Sequence, residues 1–395
     1  MKLPFLFHQS SMLGMKKDTF DLIVLGIAHS LNHSLFLVLP PLLGNIADDL
    51  GTSLTVIGLI STITFLTYGT GALIGGPLSD RLGSVKVARI SIGLGGLMSL
   101  VFLVAKDVYV FGVGMFLMAL WASFYHPTAN GLIAKAFPEN TGQSMGIHNA
   151  AGNFGQVFTP TVAFFLGVTF SWRISFVFFG LVSVVIAYLM DRIKVDEGEV
   201  QKNDKSYMEF IRTPGLWIVL VYNVVVGFLF RSVDLFFPSF LSTELQYTGG
   251  IAAFANSMIL FFGVLGQLLG GRGSDKMGPT KVLLITTTGM VASFAILMFL
   301  PANIAVPLFV VVYGVSMFGH QPTVTNLVSQ LSPRNMMGLA YGVMFFSAFG
   351  IGSISTAVIG WVADSYSLTT AFWVNAATSV LLLGVGFVIR MKIKK

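Results

Sequence analysis

Five of the six histidines sit inside long apolar stretches, where a titratable ring is costly unless it has a partner or a task. His29, Asn32 and His33 fall in one stretch, and the two rings, four residues apart, share a face if that stretch is helical. His126 follows in another stretch beside Pro127, His148 and Asn149 in a third, and His320 with Gln321 in a fourth. Imidazole gains and loses a proton near pH 6.5, donates or accepts hydrogen bonds, and ligates transition metals. Three chemistries therefore compete: proton carriage, satisfaction of a buried carbonyl, and a divalent-metal path. Arg231 and Asp234, three apart in a fifth stretch, add a charge pair that is either a fixed internal salt bridge or a gating and coupling element. Asp21 and Asp364 stand at the edges of their stretches and read as structural.

The elements that must carry these residues are membrane spans. The chain is 54% hydrophobic and 10% charged, far below the roughly 25% charge of soluble domains. Apolar runs of the ~20 residues needed to cross a bilayer fall near 20–42, 53–76, 86–105, 109–132, 143–167, 173–190, 215–241, 250–271, 281–300, 304–328, 338–362 and 368–390. The expected fold is thus an all-α integral membrane protein with twelve transmembrane helices in two pseudo-symmetric six-helix bundles. The division reads as a tail over 1–19, a first bundle over 20–190, a polar linker over 191–213, a second bundle over 214–390 and a tail over 391–395. Glycine pairs at Gly71 and Gly75, Gly142 and Gly146, and Gly266 and Gly270 have the spacing that lets helix backbones approach.

Two short polar turns mark the duplication. Gly76-Pro77-Leu78-Ser79-Asp80-Arg81-Leu82-Gly83-Ser84-Val85-Lys86 returns 195 positions later as Gly271-Arg272-Gly273-Ser274-Asp275-Lys276-Met277-Gly278-Pro279-Thr280-Lys281. The same offset carries Pro127-Thr128 onto Pro322-Thr323 and Pro138 onto Pro333. A tight reversal at a membrane surface needs permissive glycine backbone and keeps charged side chains in the headgroup zone. Asp80 can also face the positive end of a neighbouring helix, a contact that one conformation makes and another breaks.

Lysine and arginine set the expected orientation. With the N-terminus in the cytoplasm, the inner segments hold 20 of the 23 basic residues, leaving Lys106, Arg173 and Arg231 outside or within the membrane. The positive-inside rule then places both termini in the cytoplasm of a multi-pass cell-membrane protein, and the basic pI needs no nucleic-acid partner. Lys2 precedes too short an apolar core for a cleavable signal, and Met15-Lys16-Lys17, leading directly into the first span, offers a second start. The absence of cysteine removes disulfides, thiolate metal sites and cysteine nucleophiles. No Gly-x-x-x-x-Gly-Lys-Ser/Thr loop or nucleophile-base pair is readable, which argues against an ATP-driven pump and an enzyme.

The polar turns resemble the major facilitator superfamily, whose loop between helices 2 and 3 reads Gly-x-x-x-Asp-Arg-x-Gly-x-x-basic with a weaker copy between helices 8 and 9. The resemblance covers nearly the whole chain and implies alternating access, with Gly76, Asp80, Arg81, Gly83, Lys86, Asp275, Lys276, Gly278 and Lys281 as the gating motif. Within it, the chain looks most like fosmidomycin-resistance-type exporters. His29-Ser30-Leu31-Asn32-His33 follows their His-x-x-Asn-Asp with histidine for the last residue. His126-Pro127-Thr128-Ala129-Asn130-Gly131 keeps His-Pro but lacks their Glu and Arg. Gly152, Asn153, Gly155 and Pro160 keep most of a helix-5 pattern similar to the antiporter signature of drug exporters, where Pro160 would bend the helix. The resemblance implies a monomeric secondary transporter of a small molecule, exchanging protons and needing no cofactor. The expected cargo is organic or drug-like and could be anionic, with export favoured. Uptake of an organic anion and transport of a divalent metal through the histidines are the alternatives, and a receptor that kept the fold but lost transport is a fourth. The neutral or histidine replacements make His33, with His29, the expected proton carrier.

Overall fold

The computed structural model describes residues 17–137, 141–193, 215–332 and 337–393. Residues 1–16 of the expected tail over 1–19 and 394–395 of the expected tail over 391–395, nearly all of the linker, Pro138, Pro333 and Arg334 lie outside them, as do the surroundings of Gly142. The first half comprises α1 (Lys17–Leu37), α2 (Leu43–Asp49), α3 (Leu54–Leu82), α4 (Ser84–Leu97), α5 (Val108–Ala122), α6 (Tyr125–Ala136), α7 (Thr141–Thr169) and α8 (Trp172–Met190). The second comprises α9 (Leu216–Thr243), α10 (Gly249–Met277), α11 (Pro279–Phe299), α12 (Ala302–Leu331), α13 (Met337–Phe345), α14 (Ile354–Ser365) and α15 (Leu368–Lys392).

Among the described residues, eleven helical stretches are long and apolar enough to cross a bilayer, with α1 and α2, α5 and α6, and α13 and α14 each forming one of them. The twelfth long helix, α7, carries His148, Asn149, Asn153 and Gln156 along its 29 residues. In lipid every backbone group must be satisfied internally, and the described spans do this as helices. It is an all-helical, multi-pass membrane protein of two six-helix bundles. Gly215, at the start of α9, lies beside the side chains of Leu331 and Ile393, so the ends of α12 and α15 share one face of the molecule with it.

The two polar turns fold alike. Gly83 and Gly278 take positive φ angles of 91° and 85°, and their amides return to the Ser79 and Ser274 carbonyls at 2.9 and 3.1 Å. Any other residue would be strained in that backbone region. The glycine pairs repeat as well: Gly71 and Gly75 of α3 press on Ser123, Phe124 and Pro127, and Gly266 and Gly270 of α10 press on Val315 and Gly319. Asp80, Arg81, Lys86, Asp275, Lys276 and Lys281 are all exposed in this conformation.

Two seams join the halves. Along α3 and α14, Gly58 lies against the Thr356 carbonyl and accepts from Thr356 Oγ1 at 2.8 Å, and Thr62 Oγ1 donates to the Ser353 carbonyl at 2.9 Å. Along α7 and α10, the Thr161 and Ser257 hydroxyls meet at 2.8 Å and Phe164 packs on Gly249. These contacts concentrate on the side away from the chain ends. Toward the ends the α7 seam parts: Asn149 and Gly146, one and two turns below Asn153, are both exposed.

Candidate functional site

α1 and α7 touch so closely that glycine is the residue their crossing tolerates. A Cβ on Gly152 would run into the His29 ring, and one on Gly155 into Ser30. The helix-5 pattern therefore has a packing role here: it admits His29 to the bundle interior. Pro160 lies within α7 without ending it, and the helix stays continuous from Thr141 to Thr169. A turn at Ser123 and Phe124, whose backbones keep right-handed helical angles, separates α5 from α6 and puts His126 and Pro127 in the first turn of α6. There the missing proline N–H leaves no intrahelical bond unmade.

These helices bring four of the five intramembrane histidines together. His29 Nε2 lies 3.2 Å from His33 Nε2, and His29 Nδ1 lies 3.2 Å from the His148 carbonyl oxygen. The His29 ring stacks on His148 at 4.4 Å and meets His126 edge-on at 4.9 Å, and His33 lies 4.8 Å from His126. His29 and His148 are buried, whereas His33 and His126 are half-buried. Asn32, fully buried, donates to the Ala122 carbonyl at 2.9 Å and accepts from the Tyr68 hydroxyl. Tyr125 walls the cluster and donates to the Leu25 carbonyl at 2.8 Å.

An aromatic bridge leads from the cluster to the second half. Tyr68 of α3 stands edge-on to His126 at 6.1 Å, and Phe345 lies 5.5 Å from the same ring. Phe345 stacks on Phe349 at 4.3 Å, four residues along in a π-helical turn over Phe346–Gly350 that separates α13 from α14. Such turns recur at functional sites. Phe349 is also one face of the Arg231 cage: the guanidinium carbon lies 4.0 Å from the Phe65 ring, 4.5 Å from Phe230 and 4.7 Å from Phe349. Arg231 Nη1 donates to Asp234 Oδ2 at 3.3 Å, and Arg231 Nε is buried without a hydrogen-bond partner. A cation of the second half is thus held against Phe65 of the first.

The other candidates are dispersed. His320 is buried in α12, bonds the Met317 carbonyl of its own helix and lies 6.4 Å from Tyr222, apart from the cluster. Asn149 is exposed, apart from the buried core of the cluster. Asn153 donates to Gln267, which donates to Gln321 at 2.6 Å, a polar chain that crosses between the halves. Asp364 accepts backbone hydrogen bonds from α3, so its edge position hides an inter-half contact. Sequence reasoning missed Tyr68, Phe65, Phe345 and Phe349. The one signal that could have found the last pair is their i, i+4 spacing.

The sequence matches the Major Facilitator Superfamily over residues 23–357. It is 21% identical to the glycerol-3-phosphate transporter of Bacillus subtilis (strain 168) over 379 residues, covering 85% of this chain and 84% of that one. It is 22% identical to the sialic acid transporter NanX of Escherichia coli (strain K12) over 394 residues, covering 91% of each. The fold superposes with a TM-score of 0.81 and 15% identity on a bacterial homologue of the human lysosomal transporter Spinster in an inward-facing, unoccupied conformation, covering 95% of this chain and 97% of that one. With two six-helix bundles, a duplicated polar turn and this match over most of its length, the chain belongs to the Major Facilitator Superfamily and is a membrane transporter, not an enzyme.

Proposed function

We propose that the protein carries a small organic anion across the membrane together with a proton, by alternating access, and that Arg231 is the residue the anion meets. The observation that carries this reading is the Arg231 cage: a buried guanidinium, stacked by Phe65, Phe230 and Phe349, with its Nε unpartnered and only a 3.3 Å contact to Asp234. Guanidinium presents a rigid fork that matches carboxylate and phosphate, and stacking holds its plane while leaving the edge for a ligand. The two relatives are named for glycerol-3-phosphate and sialic acid, both organic anions.

Charge conservation in the low-dielectric interior supplies the coupling. Arg231 and Asp234 together are neutral, so an entering monoanion would leave one uncompensated negative charge, which is expensive in a membrane. A proton on Asp234 removes that charge and releases the guanidinium to the cargo. Anion and proton then load together and leave together. Asp234, rather than the histidine cluster, carries the proton in this reading because it touches the cation that binds the anion. Export by fosmidomycin-type exchange rested on the helix-5 pattern, and Gly152 and Gly155 have a packing explanation that does not require it.

Proteoliposomes test the proposal directly. A panel of labelled sugar phosphates and carboxylates is offered with and without an imposed proton gradient. Wild type accumulates at least one anion against its gradient when protons flow the same way. Asp234→Asn keeps exchange of that anion but loses accumulation. Accumulation that persists in Asp234→Asn, or that needs the opposite proton gradient, removes the coupling scheme.

A further inference from the structure

We propose that His29, His33 and His126 form a binding site for a divalent transition-metal ion, zinc or a similar borderline cation, within the first half of the transporter. The ligating nitrogens of the three rings all lie within 4.8 Å of one another. The His29 and His33 Nε2 atoms, 3.2 Å apart, already match the edge of a tetrahedron, about 3.3 Å at the usual zinc-nitrogen distance. Their i, i+4 spacing on α1 is the helical arrangement that presents two imidazoles to one ion.

Two further observations favour a ligand over a closed hydrogen-bond network. His29 Nδ1 faces the His148 carbonyl at 3.2 Å, where it can only donate, and that fixes the tautomer whose Nε2 lone pair points at the other two rings. This is how metal-binding histidines are oriented by their outer partners. His126 Nε2, buried in the same group, has no hydrogen-bond partner at all. Three neutral imidazoles can pair His29 with His33, but His126 is left over, and a buried polar atom without a partner costs about 1–3 kcal/mol. An ion at the centre satisfies all three nitrogens at once.

The cluster also indicates what else the ion would hold. Among the described residues no carboxylate joins the three rings. With neutral imidazoles the loaded site keeps its full double charge, so an anionic donor is favoured in the fourth position. All three ligands come from α1 and α6, so the ion moves with the first half during alternating access and ties α1 to the first turn of α6. This inference does not depend on the anion reading, whose charge pair, Arg231 and Asp234, lies on α9.

The test uses the full-length protein in detergent, stripped with chelator and titrated with zinc or cobalt ions alone at neutral pH. Calorimetry should show one saturable site, and X-ray absorption at the bound zinc should count three imidazoles. His33→Ala and His126→Gln should each weaken zinc binding by about 100-fold, judged from the 10- to 100-fold losses that outer-shell changes alone cause, while His320→Ala binds as wild type. Where His33→Ala melts early without metal, His126→Gln supplies the reading. No saturable site, fewer than three imidazoles, or unchanged affinity in both cluster variants overturns the assignment.

Discussion

Asp364, in the last turn of α14, accepts hydrogen bonds from the backbone amides of Thr55 at 2.7 Å and Leu54 at 3.2 Å, at the first turn of α3. A carboxylate of the second half thus caps a helix of the first, where unpaired amides and the positive end of the helix dipole favour it. The cap sits at the closed end of the α3–α14 seam, above the Gly58 and Thr62 contacts. It can exist only while that side of the transporter is shut.

Asp364→Ala should therefore favour opening at this face. Loss of a capping side chain costs about 0.5–2 kcal/mol, and one to two kcal/mol is a factor of roughly 5–30 in an equilibrium. Because the chain has no native cysteine, a single spin-labelled cysteine pair across the two bundles reports the populations without background. The expected result is a longer-distance population in Asp364→Ala that wild type lacks. Identical distance distributions would mean the cap does not hold the closed state.

Gly152→Ala should destabilise the first half. The added Cβ would strike the His29 ring, which is itself wedged against His33, His126 and His148. Overpacking of this kind costs about 1–3 kcal/mol. Gly146→Ala, six residues away in the same helix with nothing within 4 Å of the new methyl, should be neutral or slightly stabilising. Thermal melts of the two variants in one detergent check the contrast, and equal melting temperatures would refute the packing role assigned to Gly152.

What could be read ahead of the structure follows a physical divide. The duplicated turn, the glycine pairs and the His29–His33 face are local patterns: glycine at positive φ and four-residue spacing leave their mark within a few residues of sequence. The aromatic bridge left only the four-residue spacing of Phe345 and Phe349, which are two of 36 phenylalanines, and in an apolar span a ring facing a pocket looks like a ring facing lipid. The structural reading of Asp364 left its partners hidden for a related reason. An acidic residue at the edge of a span is ordinary, and its partners lie about 310 residues away in sequence, on the other bundle. The convergence of His126 and His148 on the α1 pair was likewise set by helix crossings, which the Gly152 and Gly155 spacing hints at but does not orient.

Tyr68→Phe probes the bridge where it touches the cluster. The lost hydroxyl leaves the fully buried Asn32 side-chain oxygen without its donor, while Asn32 Nδ2 keeps the Ala122 carbonyl at 2.9 Å. An orphaned buried acceptor costs about 1–3 kcal/mol, so a lower melting temperature is expected with the ring packing intact. A variant as stable as wild type would show that Asn32 finds another donor.

Arg231→Lys separates charge from shape at the cage. Lysine keeps the positive charge and can still reach Asp234, but it has no plane to lie between Phe65, Phe230 and Phe349 and no fork to meet a carboxylate or phosphate in two places. Cation–π contacts of a desolvated guanidinium are worth about 2 kcal/mol or more, and lysine recovers only part of that. The variant should therefore fold and reach the membrane, yet bind the proposed organic anion at least ~10-fold more weakly, a loss of about 1.4 kcal/mol. Anion-induced thermal stabilisation of purified protein measures this without requiring turnover. If lysine matched arginine in that assay, a point charge would suffice, and the stacked geometry around residue 231 would have to serve the closure between α3 and α9 instead of recognition.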